Sequence, residues 1–330
     1  MMKKRVSWID MLKGYCMLVV MLHHLSFVPG VYRTFYAPFF LTAFFVSAGL
    51  TFSVKRDFKA FVINKLKTLV LPLFILDAFN ILISLVLNPG ETNVLSEFKG
   101  LCVQIGTTHL WFIAAMFVFC IAFYPVAKYC GNNRKKLMIT ISVLAIINII
   151  FSVATKGVRL PWHVNFIGIG CFWLGIGYLL KGKIERLHDL QTKKKATIIL
   201  CVVLVYVLVL VLSCYCGHNY LGFEQVDDNP LLYLLTNSVG VALILILSVV
   251  TTQFKFVQFV GRNTLFYFAF HGKLQAVLLL VFEKINMMGF LENFNFVTPV
   301  AFVIAEALIL YFPCIIFSKV MPFAVGKGWS

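Results

Sequence analysis

Apolar runs of about 20 residues recur along the whole chain of 330 residues, and they constrain its fold more than any other feature. A helix of that length crosses the hydrocarbon core of a bilayer while satisfying its own backbone hydrogen bonds. Charged residues make up only 13% of the sequence, roughly half their share in soluble domains. We therefore predict an all-α, polytopic membrane helical bundle. It would be a single integral-membrane domain over 1–330 with no appended soluble domain.

The apolar runs divide into ten predicted transmembrane helices. Their boundaries follow the Gly, Pro and charged residues that separate the runs. The predicted spans are 8–27, 35–53, 69–87, 109–127, 137–154, 162–180, 196–216, 231–251, 264–283 and 297–317. An even number of spans brings both termini to the same side of the membrane.

Lysine and arginine are distributed very unevenly over the loops between these spans. Loops on one side hold 22 of the 29 basic residues, and the opposite loops hold 5. Basic loops stay in the cytoplasm, so this bias predicts cytoplasmic termini and a multi-pass protein of the cytoplasmic membrane. The net charge of +16 then reflects topology, with some attraction to anionic membrane lipid, and does not indicate a nucleic-acid partner.

The first predicted helix carries Asp10, Lys13, His23 and His24 in an otherwise apolar run. Ionisable groups cost about 2.5–3.5 kcal/mol each at the centre of a transmembrane helix, so they commonly mark a site. At about 100° per residue, Asp10, Lys13 and His24 share one face, while His23 points about 80° away from Lys13. A near-neutral imidazole suits a general base, which makes His24 the leading candidate and His23 the reserve. The alternatives are an interhelical hydrogen bond for His24 and a structural ion pair between Asp10 and Lys13.

Three further segments place polar or basic side chains at or inside spans. His109-Leu110-Trp111-Phe112 offers a polar head and aromatic walls, or it belongs to an interfacial aromatic belt. His271 lies inside the ninth span, where it serves either a site or an interhelical hydrogen bond. The basic loop containing Lys65 either grips phosphate groups or follows from topology alone.

Four motifs, spread over most of the chain, together carry a family resemblance. They are Ile9-Asp10-x-x-Lys13-Gly14 with His24 eleven residues after Lys13, Phe44-Phe45-Val46-Ser47-Ala48-Gly49, His109-Leu110-Trp111-Phe112, and Gly261-x-Asn263-Thr264-Leu265-x-Tyr267-x-x-x-His271. In this order they resemble the acyltransferase-3 family, whose membrane enzymes O-acylate bacterial glycans and other cell-surface compounds. Many members have arginine at the position of Lys13. A lysine at this position resembles a subgroup that is similar to sugar O-acetylases. The basic-x-x-basic motif that many members carry before a proline is incomplete ahead of Pro72.

The resemblance implies a membrane O-acyltransferase with acetyl-CoA, or another acyl-CoA, as its donor substrate. The donor would bind from the cytosol, and a hydroxyl of a cell-envelope glycan or lipid-linked saccharide would arrive from outside. His24 would act as base or as transient acyl carrier, with Lys13 orienting the donor and Asp10 as the partner of Lys13. The residues that would bind substrate are His109, Trp111, Tyr267, His271 and Lys65.

Two other classes of protein are also compatible with the sequence. Intramembrane charges and ten spans suit a secondary transporter or flippase, although no internal repeat is evident. A structural or sensory membrane protein is the third alternative. The GxSxG, P-loop and HExxH motifs are absent and the nine cysteines lack metal-binding spacing, so we expect no metal.

Overall fold

The structure is a computed structural model that describes residues 6–87, 90, 93–105, 110–155, 158–184, 192–216, 230–294 and 296–328. The described residues contain no β-strand, which confirms the prediction of an all-α fold. They form the helices α1 (Ser7–His23), α2 (Gly30–Tyr36), α3 (Phe40–Thr51), α4 (Phe58–Lys65), α5 (Leu71–Leu87), α6 (Val94–Val103), α7 (Trp111–Cys130), α8 (Arg134–Ala154), α9 (Ile167–Leu180), α10 (Thr192–Cys216), α11 (Pro230–Val250), α12 (Lys255–Arg262), α13 (Thr264–Lys284), α14 (Met288–Asn293), α15 (Thr298–Ile309) and α16 (Tyr311–Val320).

Eight helical segments of the described chain are long and apolar enough to cross a membrane. They are Gly30–Thr51, Phe58–Leu87, Trp111–Cys130, Arg134–Ala154, Pro161–Leu180, Pro230–Val250, Thr264–Lys284 and Thr298–Val320. Each overlaps one predicted span, so the prediction of a polytopic membrane bundle is confirmed. The remaining two predicted spans correspond to α1, which has 17 residues, and to α10, whose apolar part is Ala196–Leu212.

Helix α1 ends at His23, so the predicted end of the first span at residue 27 was wrong. The chain turns after His24 toward Pro29, and a residue that precedes proline avoids helical geometry. The Leu25 carbonyl, which a longer helix would use internally, accepts a hydrogen bond from the Arg33 guanidinium at 2.9 Å. His24 therefore lies at the end of the helix rather than inside it.

The segment 55–67, predicted to be a loop, is helical over much of its length. Helix α4 passes through a π-helical turn, Leu66–Val70, into α5. Pro72 has no N–H to donate to the Thr68 carbonyl, which favours such an irregular turn. A side chain at Gly326 would approach that carbonyl to 2.7 Å, so a glycine lets the C-terminal 3₁₀ turn, Pro322–Val325, pack here.

Hydrogen bonds between distant loops show that the basic loops meet at one end of the bundle. Tyr124 donates to the Arg56 carbonyl at 2.6 Å, and Lys181 Nζ donates to the Phe52 carbonyl at 2.8 Å. Lys327 Nζ donates to Asn263 Oδ1 at the same end. We call this end the basic face and the other end the opposite face. The charge asymmetry predicted from the sequence thus has its counterpart in the fold.

Helix α1 lies at the centre of the bundle and contacts α3, α11, α12, α13 and α15. It meets α12 backbone to backbone, because a Cβ on Gly14 would overlap the Val257 carbonyl and one on Gly261 would overlap the Asp10 carbonyl. Small residues permit such contacts between membrane helices, where packing replaces the hydrophobic effect. The two glycines therefore fix the position of the helix whose one face carries Asp10, Lys13 and His24, which we call the polar stripe.

Candidate active site

A cavity of about 580 Å³ lies between α1, α3, α4, α7 and α13, with its mouth at the basic face. Exposed Lys55 and Arg56 line the mouth, and half-buried Lys13 and Lys65 lie in the walls. The described residues that line the cavity include no Asp or Glu. The mouth therefore attracts a ligand that carries several negative charges.

One of these cations, Lys65, is held in place by neighbouring groups in the wall. Its Nζ lies 5.6 Å from the centre of the Phe61 ring, and Cys120 lines the cavity with it. Lys65 and Leu69, on successive turns through the π-helical segment, both face the cavity, whereas Lys67 is exposed outside it. The incomplete basic motif thus contributes one cation to the cavity rather than two.

The far end of the cavity is apolar and closed. The α1 wall of the cavity runs from Lys13 through Met17 to Val20 along one face of the helix, a rise of about 10 Å. Beyond Val20, rings from α7 and α13 complete the closed end. His24 lies one helical turn after Val20 on the same face, so the predicted stripe continues past the end of the cavity.

His24 and His271 come together next to this closed end, from α1 and α13. Their ring centroids are 4.8 Å apart, with the rings at 73° to each other. His24 is exposed, whereas His271 is buried, with 5% of its surface accessible. The family motifs at the start and near the end of the chain therefore meet in one histidine pair.

Backbone carbonyls define the tautomer of each histidine. His24 Nδ1 lies 2.8 Å from the Val20 carbonyl, and His271 Nδ1 lies 3.0 Å from both the Tyr267 and the Phe268 carbonyls. A carbonyl only accepts, so in both rings Nδ1 carries a hydrogen, and in the neutral form Nε2 keeps a lone pair. Among the described residues, the buried His271 Nε2 has no hydrogen-bond partner. Both rings can thus accept a proton at Nε2.

The other ionisable residues of the first helix lie outside this arrangement. His23 packs 5.2 Å from the Phe40 ring and 5.8 Å from the Tyr36 ring, away from the cavity. Asp10 is buried at the crossing of α1 and α12 and does not line the cavity. Of the predicted stripe, the structure brings Lys13 into the cavity wall and His24 above its closed end.

The aromatic group near the opposite face is built from Trp111 and a strained segment. The Trp111 ring lies 5.1 Å from the ring of His163, and His109 lies outside the described residues. Trp162 and His163 both have left-handed backbone angles, with φ of 55° and 56°, at a cost of about 1–2 kcal/mol each. Strain of this kind concentrates at functional sites. The sequence marked this segment only as the beginning of a span.

Three polar residues within the bundle have packing partners away from the cavity. Tyr267, predicted to bind substrate, is fully buried and donates to the Ala307 carbonyl at 3.0 Å. Gln275 donates to the Met21 carbonyl at 2.8 Å and to Glu306 Oε2 at 2.9 Å. Glu306 is fully buried, and sequence patterns did not single it out. Through the Met21 carbonyl, the Gln275–Glu306 pair is hydrogen-bonded to the last turn of α1, next to the histidine pair.

Fold and site together define an integral membrane protein with an internal, cation-lined cavity next to a histidine pair. Residues 6–318 match the acyltransferase domain of the acyltransferase-3 family, to which the chain therefore belongs. The resemblance deduced from the four motifs is confirmed at the level of the family, and the protein is a membrane acyltransferase. No curated protein and no solved structure gives a significant match to the chain.

Proposed function

We propose that the protein is a membrane O-acyltransferase that moves an acyl group, in the simplest case acetyl, from cytosolic acyl-CoA to a hydroxyl of a cell-envelope glycan or glycolipid. The observation that carries this proposal is the cavity with a cationic mouth and an apolar closed end one helical turn from His24. The positive-inside rule orients its basic face toward the cytoplasm and the opposite face toward the outside of the cytoplasmic membrane.

The cavity suits acyl-CoA in charge, shape and size. The phosphate groups of this donor match the cations of the mouth and the wall, Lys55, Arg56 and Lys65, and arginine binds phosphate through two hydrogen bonds. The apolar depth accommodates an uncharged, extended pantetheine arm. A volume of about 580 Å³ falls in the range of about 300–1,000 Å³ typical of small-molecule sites. Lys13, in the wall nearer the closed end, orients the donor through a polar group of that arm.

The chemistry requires a base, which the tautomer of His24 supplies. The bound thioester supplies an activated carbonyl carbon. His24 Nε2 takes the proton of the acceptor hydroxyl, the hydroxyl oxygen bonds to the carbonyl carbon, the carbon–sulfur bond breaks, and the sulfur leaves with a proton as the free thiol. The same Nε2 lone pair would hold the acyl group if transfer occurs in two steps. Trp111, near the opposite face, offers a ring on which a sugar can stack.

The decisive experiment joins reconstitution with a deletion strain. Full-length protein in nanodiscs should transfer radiolabelled acetyl from acetyl-CoA to envelope glycan extracted from the deletion strain. Mass spectrometry should show that this glycan lacks acetyl groups which the parent strain carries. An unchanged acetylation pattern, together with altered accumulation of a saccharide precursor, would instead identify a transporter or flippase.

A further inference from the structure

The closed end of the cavity is formed by three phenylalanine rings from three helices. Phe44 on α3 lies 5.4 Å from Phe112 on α7, and Phe112 lies 6.0 Å from Phe268 on α13. All three side chains line the cavity. We call Phe44, Phe112 and Phe268 the ring cluster. It lies between the cavity and the histidine pair.

The ring cluster occupies the route from the cavity to the histidines. Phe268 precedes His271 by one turn of α13, and the two rings are stacked with centroids 6.1 Å apart. On α1, Val20 lines the cavity beside the cluster and precedes His24 by one turn. The acyl group of a donor in the cavity therefore meets these rings where its carbonyl approaches His24.

The ring cluster is backed by packed side chains, so it cannot yield easily. Phe112 is stacked on the buried Phe45 at 5.1 Å, and Phe268 is stacked on the buried His271 at 6.1 Å. Packed interiors tolerate an extra methylene poorly when neighbouring side chains cannot relax. The space beside these rings therefore holds a short acyl group, whereas the added methylenes of a longer one overlap the rings.

We propose that Phe44, Phe112 and Phe268 determine which acyl chain the enzyme transfers, by restricting the donor to acetyl and similarly short acyl-CoA. This proposal rests on the proposed function and adds to it the class of donor. One methylene in a close-fitting apolar site changes kcat/KM by about 10- to 200-fold. Butyryl-CoA, with two methylenes more than acetyl-CoA, should therefore be a substrate at least about 100-fold poorer.

The test compares chain-length profiles of purified full-length variants in nanodiscs. Phe112→Leu and Phe268→Leu widen the ring cluster while keeping an apolar side chain, because truncation to alanine leaves a destabilising cavity. Acetyl-, propionyl-, butyryl- and hexanoyl-CoA are the donors, and the readout is the ratio of kcat/KM for butyryl-CoA to that for acetyl-CoA. Each variant should raise this ratio about 10-fold or more.

Phe119→Leu is the matched control. Phe119 lies on α7 like Phe112, is likewise buried in aromatic packing, and does not line the cavity. Its variant should keep the wild-type ratio. Either of the two widened variants suffices if the other fails to fold.

Any of three results would overturn the proposal. They are efficient use of butyryl-CoA by wild-type protein, a wild-type ratio in both widened variants, and an equal shift of the ratio in Phe119→Leu. Wild-type protein that transfers no acyl group from any thioester is a different outcome, because it overturns the proposed function and this inference together.

Discussion

At the scale of single residues, the two adjacent histidines at the end of α1 have different surroundings. His24 contacts His271 and keeps a lone pair on Nε2, whereas His23 packs against Phe40 and Tyr36. Helical projection from Lys13 along the sequence distinguishes the same two faces. The neighbouring positions therefore provide a matched pair for mutation.

We predict that His24→Ala lowers the rate of acetyl transfer from acetyl-CoA by about 100- to 10,000-fold, the usual contribution of a general base. His23→Ala should retain the rate within a few-fold, because its ring faces away from the cavity. Transfer by purified protein in nanodiscs is the measurement. Equal activity of wild type and His24→Ala would remove His24 from the chemistry.

Lys65, a cation in the cavity wall, should contribute to donor binding. Lys65→Ala should raise KM for acetyl-CoA about 10-fold or more, because a charged hydrogen bond contributes about 1.5–3 kcal/mol. Lys67→Ala is the control, since Lys67 is exposed outside the cavity. Steady-state kinetics over a range of donor concentrations distinguish the two. If both variants change KM equally, Lys65 has no specific role in binding.

At the scale of helices, the contact between α1 and α12 depends on glycines at positions 14 and 261. Gly261→Ala should destabilise the protein by about 1–3 kcal/mol, the usual cost of overpacking, because its Cβ would overlap the Asp10 carbonyl. Gly272→Ala on α13 is the control, because a Cβ there meets no atom within 4 Å. Thermal unfolding in detergent should show a lower Tm for Gly261→Ala only. A comparable fall for Gly272→Ala would contradict the packing argument.

Sequence patterns predicted which elements exist better than how they are joined. Hydropathy located the long apolar helices, because the bilayer fixes their length and composition. It missed helix α4 and its π-helical turn, since the cause lies in Pro72 and in packing against the C-terminal turn. It likewise placed the end of α1 too late, because Arg33 from α2 satisfies the Leu25 carbonyl. Such boundaries depend on individual backbone and side-chain contacts that hydropathy does not record.

The residues of the candidate site that could be predicted are those with a high free-energy cost inside a membrane helix. Lys13, His24 and His271 are polar residues in apolar runs, and they were identified for that reason. The ring cluster was not identified, because phenylalanine inside a membrane span is ordinary. Buried Glu306 carried the same cost as Lys13 but had no neighbouring polar residue on its own helix. Only tertiary contacts assign these residues to the site.

At the scale of the whole molecule, the basic face should lie in the cytoplasm. A green fluorescent protein fused after Ser330 should fluoresce, because the C-terminal 3₁₀ turn and Lys327 lie at the basic face. Alkaline phosphatase fused after Cys216, at the end of α10 remote from the basic loop before it, should be active. The inverse pattern would reverse the orientation of the cavity.

The ring cluster also bears on the proton permeability of the membrane. An acyltransferase that takes one substrate from each side of an energised membrane, as proposed above, must not let water form a continuous column between them. The cavity reaches the level of Val20 from the basic face, and His24 is exposed beyond it, so under the proposed function the phenylalanine rings would separate the water on the two sides. The same three side chains that would select the acyl chain would therefore also preserve the proton gradient of the cell.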